Sequence, residues 1–347
     1  MIASDRPNQI EDPATGTRLS VPAELAGMPL VSIVTPSYNQ GGFIRETIES
    51  VLGQDYPNIE YWVIDGGSTD ETLAVLYTFE RDPRLHWISE PDRGQSDAIN
   101  KGLARCHGEL FAWLNADDVY LPGAVSVAVA GLQAHPGAAG VYGDCEYIDE
   151  AGRVIDLHPT SQFDYTTLVR TARTPIPQPA TFLRHNAVAA IGYLDADLSM
   201  VMDFDLWLRL GLLAPLVYLP KPLARFREHA ASKTIARQAQ AAPELLAVYR
   251  RLFARADLPP EIKAIESEAL SGALVFAGNS LLMAGQIGAA RRYALAGMRE
   301  AAPRMRVMAL KILLVGAFGQ AGLSAYLRGR RGVKSVLRSL TPRGRHG

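Results

Sequence analysis

The sequence predicts an α/β fold with a doubly wound, mostly parallel sheet, and three apolar runs are the reason. Val31-Ser-Ile-Val-Thr35, Tyr61-Trp-Val-Ile64 and Leu110-Phe-Ala-Trp-Leu114 are short, rich in β-branched and aromatic residues, and end at polar or glycine residues. Buried parallel strands read as such continuous apolar runs, whereas half-exposed strands alternate. The residues that end them are Pro36-Ser-Tyr-Asn39, Asp65-Gly-Gly-Ser-Thr-Asp70 and Asn115-Ala-Asp-Asp118. They fall at the carboxyl edge of the sheet, where open α/β sheets bind ligands.

The elements between them follow in order. Phe43, Ile44, Thr47, Ile48, Val51 and Leu52 recur at helical spacing, which predicts a crossover helix. A strand from Ile59 to Ile64 leads to Ser68-Thr-Asp-Glu71, which has the form of an N-cap with Glu three residues later. A helix to about Phe79, a strand Leu85–Ser89, a helix over 97–104 and a strand Leu110–Leu114 complete the alternation that marks a parallel sheet. Val141–Asp149 then reads as a further strand, with Gly152–Leu157 as its hairpin partner. Residues 158–180 hold four prolines and are expected to be irregular, because proline removes a donor and biases its predecessor toward extended backbone. From about Ala239 the chain is rich in Ala and Leu, and 265–302 reads as a helical hairpin resembling one tetratricopeptide-type unit. One such unit cannot bury its own face, so it needs a neighbour.

Composition narrows the function classes. A 347-residue chain with 48% hydrophobic and 20% charged residues matches an ordinary soluble protein with room for one large domain and a second element. Cys106 and Cys145 are too few for a disulfide framework or a thiolate metal site, so a reducing cytoplasm is expected. The amino end lacks the basic start and apolar core of a secretory signal. The net charge of −1 hides an asymmetry, since residues 301–347 carry ten Lys and Arg and no Asp or Glu, against 25 basic and 36 acidic residues before them. A basic terminus on an acidic body points to an anionic surface partner, and no nucleic-acid partner is expected. A dinucleotide-dependent dehydrogenase would need Gly-x-Gly-x-x-Gly after the first strand, and that turn is absent.

Taken singly, the polar residues have two readings each. Tyr38 beside a strand end fits a core position or a stacking platform. Asp65 fits a helix cap or a ligand contact, and the Asp117-Asp118 pair fits a turn or a cation site. Asp203 and Asp205 suit the first turn of a helix, where carboxylates are stabilised. Lys101 is explained equally well by a solvated helix face, and a lone His229 by the core.

In combination, over roughly residues 30–230, these segments resemble the family 2 glycosyltransferases with a GT-A fold, which move a sugar from a nucleotide-sugar to an acceptor. The resemblance implies a nucleotide-sugar site formed by Thr35, Pro36, Tyr38, Asn39, Asp65, Arg93, Asn100, Lys101 and Asn115. The turn after the first strand and Asp65 would meet the nucleobase; Gly66 stands where relatives commonly have a second aspartate. Asn115-Ala-Asp-Asp118 occupies the place of the family's Asp-x-Asp signature, which puts a divalent Mn or Mg ion on Asp117. Met202-Asp-Phe-Asp-Leu-Trp-Leu-Arg209 resembles the segment carrying the catalytic base, here Asp203, with Met202 where Glu is frequent. Arg225-Phe-Arg-Glu-His-Ala-Ala-Ser232 resembles an element whose histidine, here His229, reaches the metal or diphosphate. Gln178, in the proline-rich loop, and Asp205 are the expected acceptor contacts.

The implied organisation is a polar arm over 1–28, a GT-A glycosyltransferase domain over 29–235, a helical extension over 236–303 and an amphipathic, basic tail over 304–347. The implied activity is inverting transfer to a saccharide or lipid-linked acceptor, as in polysaccharide or surface-glycan synthesis. A non-catalytic nucleotide-sugar binding module is the alternative, and Asp203 argues against it. Val307–Leu327 approaches the length of a membrane span, but Lys311, Gln320 and its glycines favour an interfacial helix ahead of a basic tail, with a packed soluble helix as the alternative. The expected location is the cytoplasm, with attachment to the inner face of the cell membrane.

Overall fold

The computed structural model describes residues 9–11, 18–20, 25, 27–158, 160–229, 238–299 and 303–328. Most of the amino-terminal arm, Ser232 and the basic tail beyond 328 lie outside the described residues. In chain order the strands are β1 (Gln9–Glu11), β2 (Arg18–Ser20), β3 (Val31–Ser37), β4 (Ile59–Asp65), β5 (Leu85–Ser89), β6 (Leu110–Trp113), β7 (Val119–Tyr120), β8 (Gly140–Ile148), β9 (Val154–Leu157), β10 (Thr181–Arg184) and β11 (Leu216–Arg227). The helices are α1 (Ile44–Leu52), α2 (Thr72–Tyr77), α3 (Gln95–Leu103), α4 (Ala124–Ala134), α5 (Tyr165–Thr171), α6 (His185–Ala190), α7 (Met202–Leu213), α8 (Ala241–Phe253), α9 (Pro260–Lys263), α10 (Glu266–Met283), α11 (Ile287–Gly297) and α12 (Pro303–Ala317).

The main sheet runs β5-β4-β3-β6-β10-β8-β11-β7, with β9 on β8, and β1 pairs separately with β2. Its first half is the parallel one: β3 pairs with β4 from Val31↔Ile59 to Ser37↔Asp65 and with β6 from Val31↔Leu110 to Val34↔Trp113. β3 is buried along its whole length, because crossover helices cover both faces of such a sheet. Helix α3 comes close enough to β3 that a Cβ on Gly102 would lie 2.5 Å from Val34 Cγ1.

The second half departs from the expected alternation. β10 is antiparallel to both β6 and β8, and β11 returns parallel to β8. Sequence reasoning assigns no strand to β7, β10 or β11. β7 and β10 are two and four residues long. β11 carries Pro220 and Pro222, and its register shifts between Tyr218 and Ala224, so its apolar pattern is interrupted. The expectation that 158–180 is irregular is corrected in part: α5 forms there, capped by Asp164 Oδ1, which accepts the Thr167 amide at 2.7 Å. Residues 160–163 and 172–177 are irregular as expected, and the second stretch ends in a 3₁₀ turn over Gln178–Ala180; Pro159 lies outside the described residues.

The chain divides into two compact units, one of residues 1–163, 174–198 and 202–229, the other of 164–173, 199–201 and 230–347. The second unit is helical. Its core joins Val275, Ala277 and Leu281 of α10, Ala290 and Ala294 of α11 and Met305, Ala309 and Ile312 of α12. Glu244 Oε2 accepts the amides of Ser199, Met200 and Val201 at 3.0, 2.6 and 3.2 Å. The opposite side of α12 presents Val307, Leu310 and Leu314 to solvent, with Phe318 exposed just beyond. Among the described residues no helix is long and apolar enough to cross a membrane.

Candidate active site

The carboxyl ends of β3 and β4 are clasped together. Asn39 holds the left-handed conformation (φ 53°), which asparagine tolerates better than most residues. Its amide donates to Ser68 Oγ at 2.7 Å and its Oδ1 accepts the Thr69 amide at 2.8 Å. Tyr38, beside it, is 60% exposed. Thr35 and Pro36 are buried, and Thr35 Oγ1 lies 2.9 Å from the Tyr61 hydroxyl.

Asp65 is completely buried. Its Oδ2 accepts Gly67 N at 3.1 Å, Ser68 N at 2.9 Å and Ser89 Oγ at 2.7 Å, while Oδ1 accepts the Ser68 hydroxyl. A buried carboxylate requires such donors, and they order the turn beneath Tyr38 and Asn39. Ser68 therefore serves Asp65 and Asn39, and Asp70 Oδ1, not Ser68, receives the Thr72 amide at the start of α2, at 3.0 Å.

The turn after β6 is a second polar cluster. Asn115 Nδ2 donates to Asp118 Oδ2 at 2.9 Å and Gln178 Oε1 at 3.3 Å, while its Oδ1 accepts Gln95 Nε2 at 2.6 Å. Gln178 in turn donates to the Trp113 carbonyl at 2.6 Å, so the 3₁₀ turn delivers it to the end of β6. Asp118 is buried, and burial, then the charge of Asp117, raises its affinity for a proton well above that of an ordinary carboxylate. Asp117 keeps an 18% exposed side chain, and its Oδ2 lies 2.9 Å from His229 Nε2.

Arg227, only 2% exposed, ties these groups together. Its amide donates to Asp118 Oδ1 at 3.0 Å, its Nε to the Asp117 carbonyl at 2.9 Å, and its Nη1 to the carbonyls of Asp149 and Glu150 at 3.3 and 3.2 Å. Its Nη2 pairs with Glu46, and its guanidinium lies 5.3 Å from the Phe43 ring centroid. Phe43 also meets the His229 ring, at 4.7 Å between centroids. Arg227 and Gln95 escape sequence reasoning. The available signal was an arginine two residues before the candidate histidine.

The remaining candidates lie along α3 and α7. Arg93 pairs with Asp97 at 3.3 Å, and Lys101 with Glu90 at 3.1 Å and Asp97 at 3.7 Å. Asn100 stands apart from the polar cluster, donating to the Leu194 carbonyl at 2.8 Å and accepting its amide at 3.1 Å. Asp203 lies in the first turn of α7. That turn is held to the start of α3, where the Ser96 hydroxyl donates to the Leu198 carbonyl at 2.6 Å and touches Met202 sulfur. Asp205 is buried and paired with Arg209 at 2.7 Å.

These acid-bearing turns lie on the carboxyl edge of the sheet, where ligands of open α/β sheets bind. A family model described as glycosyl transferase family 2 matches residues 32–188. An uncharacterized glycosyltransferase of Mycobacterium tuberculosis is 32% identical over 206 residues, 58% of this chain and 76% of that protein. Chondroitin synthase of Escherichia coli is 29% identical over 203 residues, 57% of this chain and 29% of that protein. The chain spans 31–66% of the length of the Rickettsia glycosyltransferases it matches. Among solved structures, S. aureus TarS 1-349 in complex with UDP-GlcNAc superposes with a TM-score of 0.62 at 17% identity, covering 89% of this chain and 92% of that one. The mannosyltransferase PcManGT from Pyrobaculum calidifontis, in complex with GDP-Man and Mn2+, gives 0.56 at 19% identity, covering 91% and 88%. The chain belongs to glycosyl transferase family 2, and its fold is that of the GT-A glycosyltransferases.

Proposed function

We propose that this chain is an inverting glycosyltransferase that moves a sugar from a nucleoside-diphosphate sugar to an acceptor hydroxyl, in polysaccharide or surface-glycan synthesis. The observation that carries this reading is the pairing of Asp117 with His229 at 2.9 Å beside the buried Arg227, at the carboxyl edge of the sheet. The fold family implies a divalent metal, and these donors suit one. A carboxylate oxygen and an imidazole nitrogen lie side by side there, and both are donor types that a divalent cation takes from protein. Asp117 and His229 would hold Mn or Mg, and when bound the ion supplies positive charge against the departing diphosphate.

The chain's own residues account for the rest. Arg227 fixes the Asp117 main chain, and Asn115, held by Gln95, Gln178 and Asp118, closes the turn. Tyr38 offers a face for the nucleobase, with Asn39 locking its turn, and the Arg93 to Lys101 segment faces the donor. Asp203, at the positive end of α7, takes the proton of the acceptor hydroxyl as its oxygen attacks the anomeric carbon. The bond from that carbon to the diphosphate oxygen breaks on the opposite side through an oxocarbenium-like state. Gln178 and Asp205 border the acceptor.

Turnover of a nucleotide-sugar panel with Mn tests this reading. Asp203→Asn is expected to lose about 10²–10⁴-fold in turnover with donor affinity nearly unchanged. A variant that turns over normally would move the base elsewhere, and a parent protein that neither binds nor consumes any donor would defeat the proposal.

A peripheral membrane location extends it. The exposed Val307, Leu310, Leu314 and Phe318, flanked by Arg306 and Lys311, suit an interfacial helix, and the ten basic residues of 301–347 suit anionic lipid. Co-sedimentation with anionic vesicles, weakened by salt, checks it; absence of binding at low salt removes it.

A further inference from the structure

Gly66 stands where a second acidic side chain is common, and the structure places another acid in that space. A Cβ built on Gly66 would lie 2.6 Å from Asp92 Oδ2 and 3.1 Å from its Cγ. Asp92 thus reaches across from the β5–α3 connection to fill the position that a side chain at 66 would take. Its two oxygens are in different situations. Oδ1 accepts the Gly94 amide at 2.7 Å, which fixes the carboxylate in place, whereas Oδ2 meets no donor among the described residues. Burial holds this carboxyl above the usual carboxylate range, against the opposing pull of the Gly94 amide and the Lys101 charge.

Asp65, by contrast, is sealed from solvent and already receives Gly67, Ser68 and Ser89. Beside the Gly66 turn, joined to it through Asn39 and Ser68, stands the exposed ring of Tyr38. The Gly66 amide donates to the carbonyl of Ser37, the residue before Tyr38, at 2.8 Å, so an exposed aromatic ring and an anionic acceptor lie on neighbouring turns, which suits a planar heteroaromatic ring that brings an N–H to the carboxylate.

We propose that Asp92 reads the edge of the donor's nucleobase, selecting a base whose pairing-edge ring nitrogen carries a hydrogen, as in uracil or guanine, over one whose ring nitrogen is an acceptor, as in cytosine or adenine. This rests on the nucleotide-sugar reading above and specifies its substrate class. Sites built around a substrate N–H discriminate strongly, because the analogue lacking it leaves a polar group unpaired.

The test is equilibrium binding of UDP, GDP, CDP and ADP, with Mn, to the full chain and two variants. The parent is expected to favour UDP or GDP over CDP and ADP. Asp92→Asn keeps the oxygen that accepts Gly94 N and turns Oδ2 into a donor. It should weaken the preferred nucleotide about ten- to a hundredfold and shift preference toward CDP. Gly66→Ala, at a position without positive φ, should displace the carboxylate and weaken the same nucleotide without the gain for CDP. If the parent binds none of the four, the nucleotide-sugar reading fails and this inference with it. If the parent binds with a clear base preference and both variants keep its affinity and order, Asp92 has no such role while the transferase reading stands.

Discussion

Two acid-bearing turns face each other across β3 in the strand order, one after β4 and one after β6. Each contains one fully buried carboxylate: Asp65 in the first, Asp118 in the second. They differ in how burial is balanced. Asp65 collects donors from its own turn and from Ser89, and the loop folds around it. Asp118 meets Asn115 and the Arg227 amide but lies next to another carboxylate, and it binds a proton more tightly than an ordinary aspartate. Each also has a partly open acid beside it: Asp92, which reaches the first turn from the β5–α3 connection, and Asp117 within the second. The buried acid shapes the backbone, and the ligand roles proposed above fall on its more open neighbour.

Substitutions that treat the two turns alike should therefore have unlike effects. The largest is expected for Asp117→Asn, since a neutral amide holds a divalent cation poorly. Turnover should fall by about 10²–10³-fold and Mn should no longer strengthen nucleotide binding, with the unfolding midpoint unchanged. Equal activity with and without the substitution would take Asp117 out of the metal site.

Next comes Asp65→Ala, which strands the donors of its turn. A loss of about 2–3 kcal/mol in urea unfolding is expected. Full stability combined with lost nucleotide affinity would instead make Asp65 a ligand contact and erase the contrast.

The smallest effect is a slope. The folded state binds a proton at Asp118 more tightly than the unfolded chain does, so that contribution to stability is complete below the unfolded carboxylate value and is lost as pH rises through the folded one. Asp118→Asn removes this component. Stability measured from about pH 4 upward should decline more steeply in the parent than in the variant, and parallel curves would show that Asp118 titrates normally.

The parallel half of the fold was legible because each strand declares itself by a local apolar run and each turn by the residues that stop it. β3, β4 and β6, and the turns at Asp65 and Asn115–Asp118, needed only neighbours in sequence. The antiparallel insertion of β10 did not announce itself, as four residues become a strand only through partners on β6 and β8. β11 was obscured by its prolines. Within the candidate site, the resemblance to the family pointed to Asp117 and His229, which the fold brings together. They did not disclose that Asp65 turns inward, which depends on Ser89. Nor did they reveal Arg227, whose partner Glu46 lies 181 residues away.

The stacking of Trp113, at the end of β6, on Trp207 of α7 has a spectroscopic consequence. The rings lie 6.0 Å apart at 18°, buried below Asn115 and one helical turn beyond Asp203. Two indoles that close share their excited states, so the near-ultraviolet circular dichroism of the unlabelled protein is a gauge of how firmly α7 is seated against the sheet.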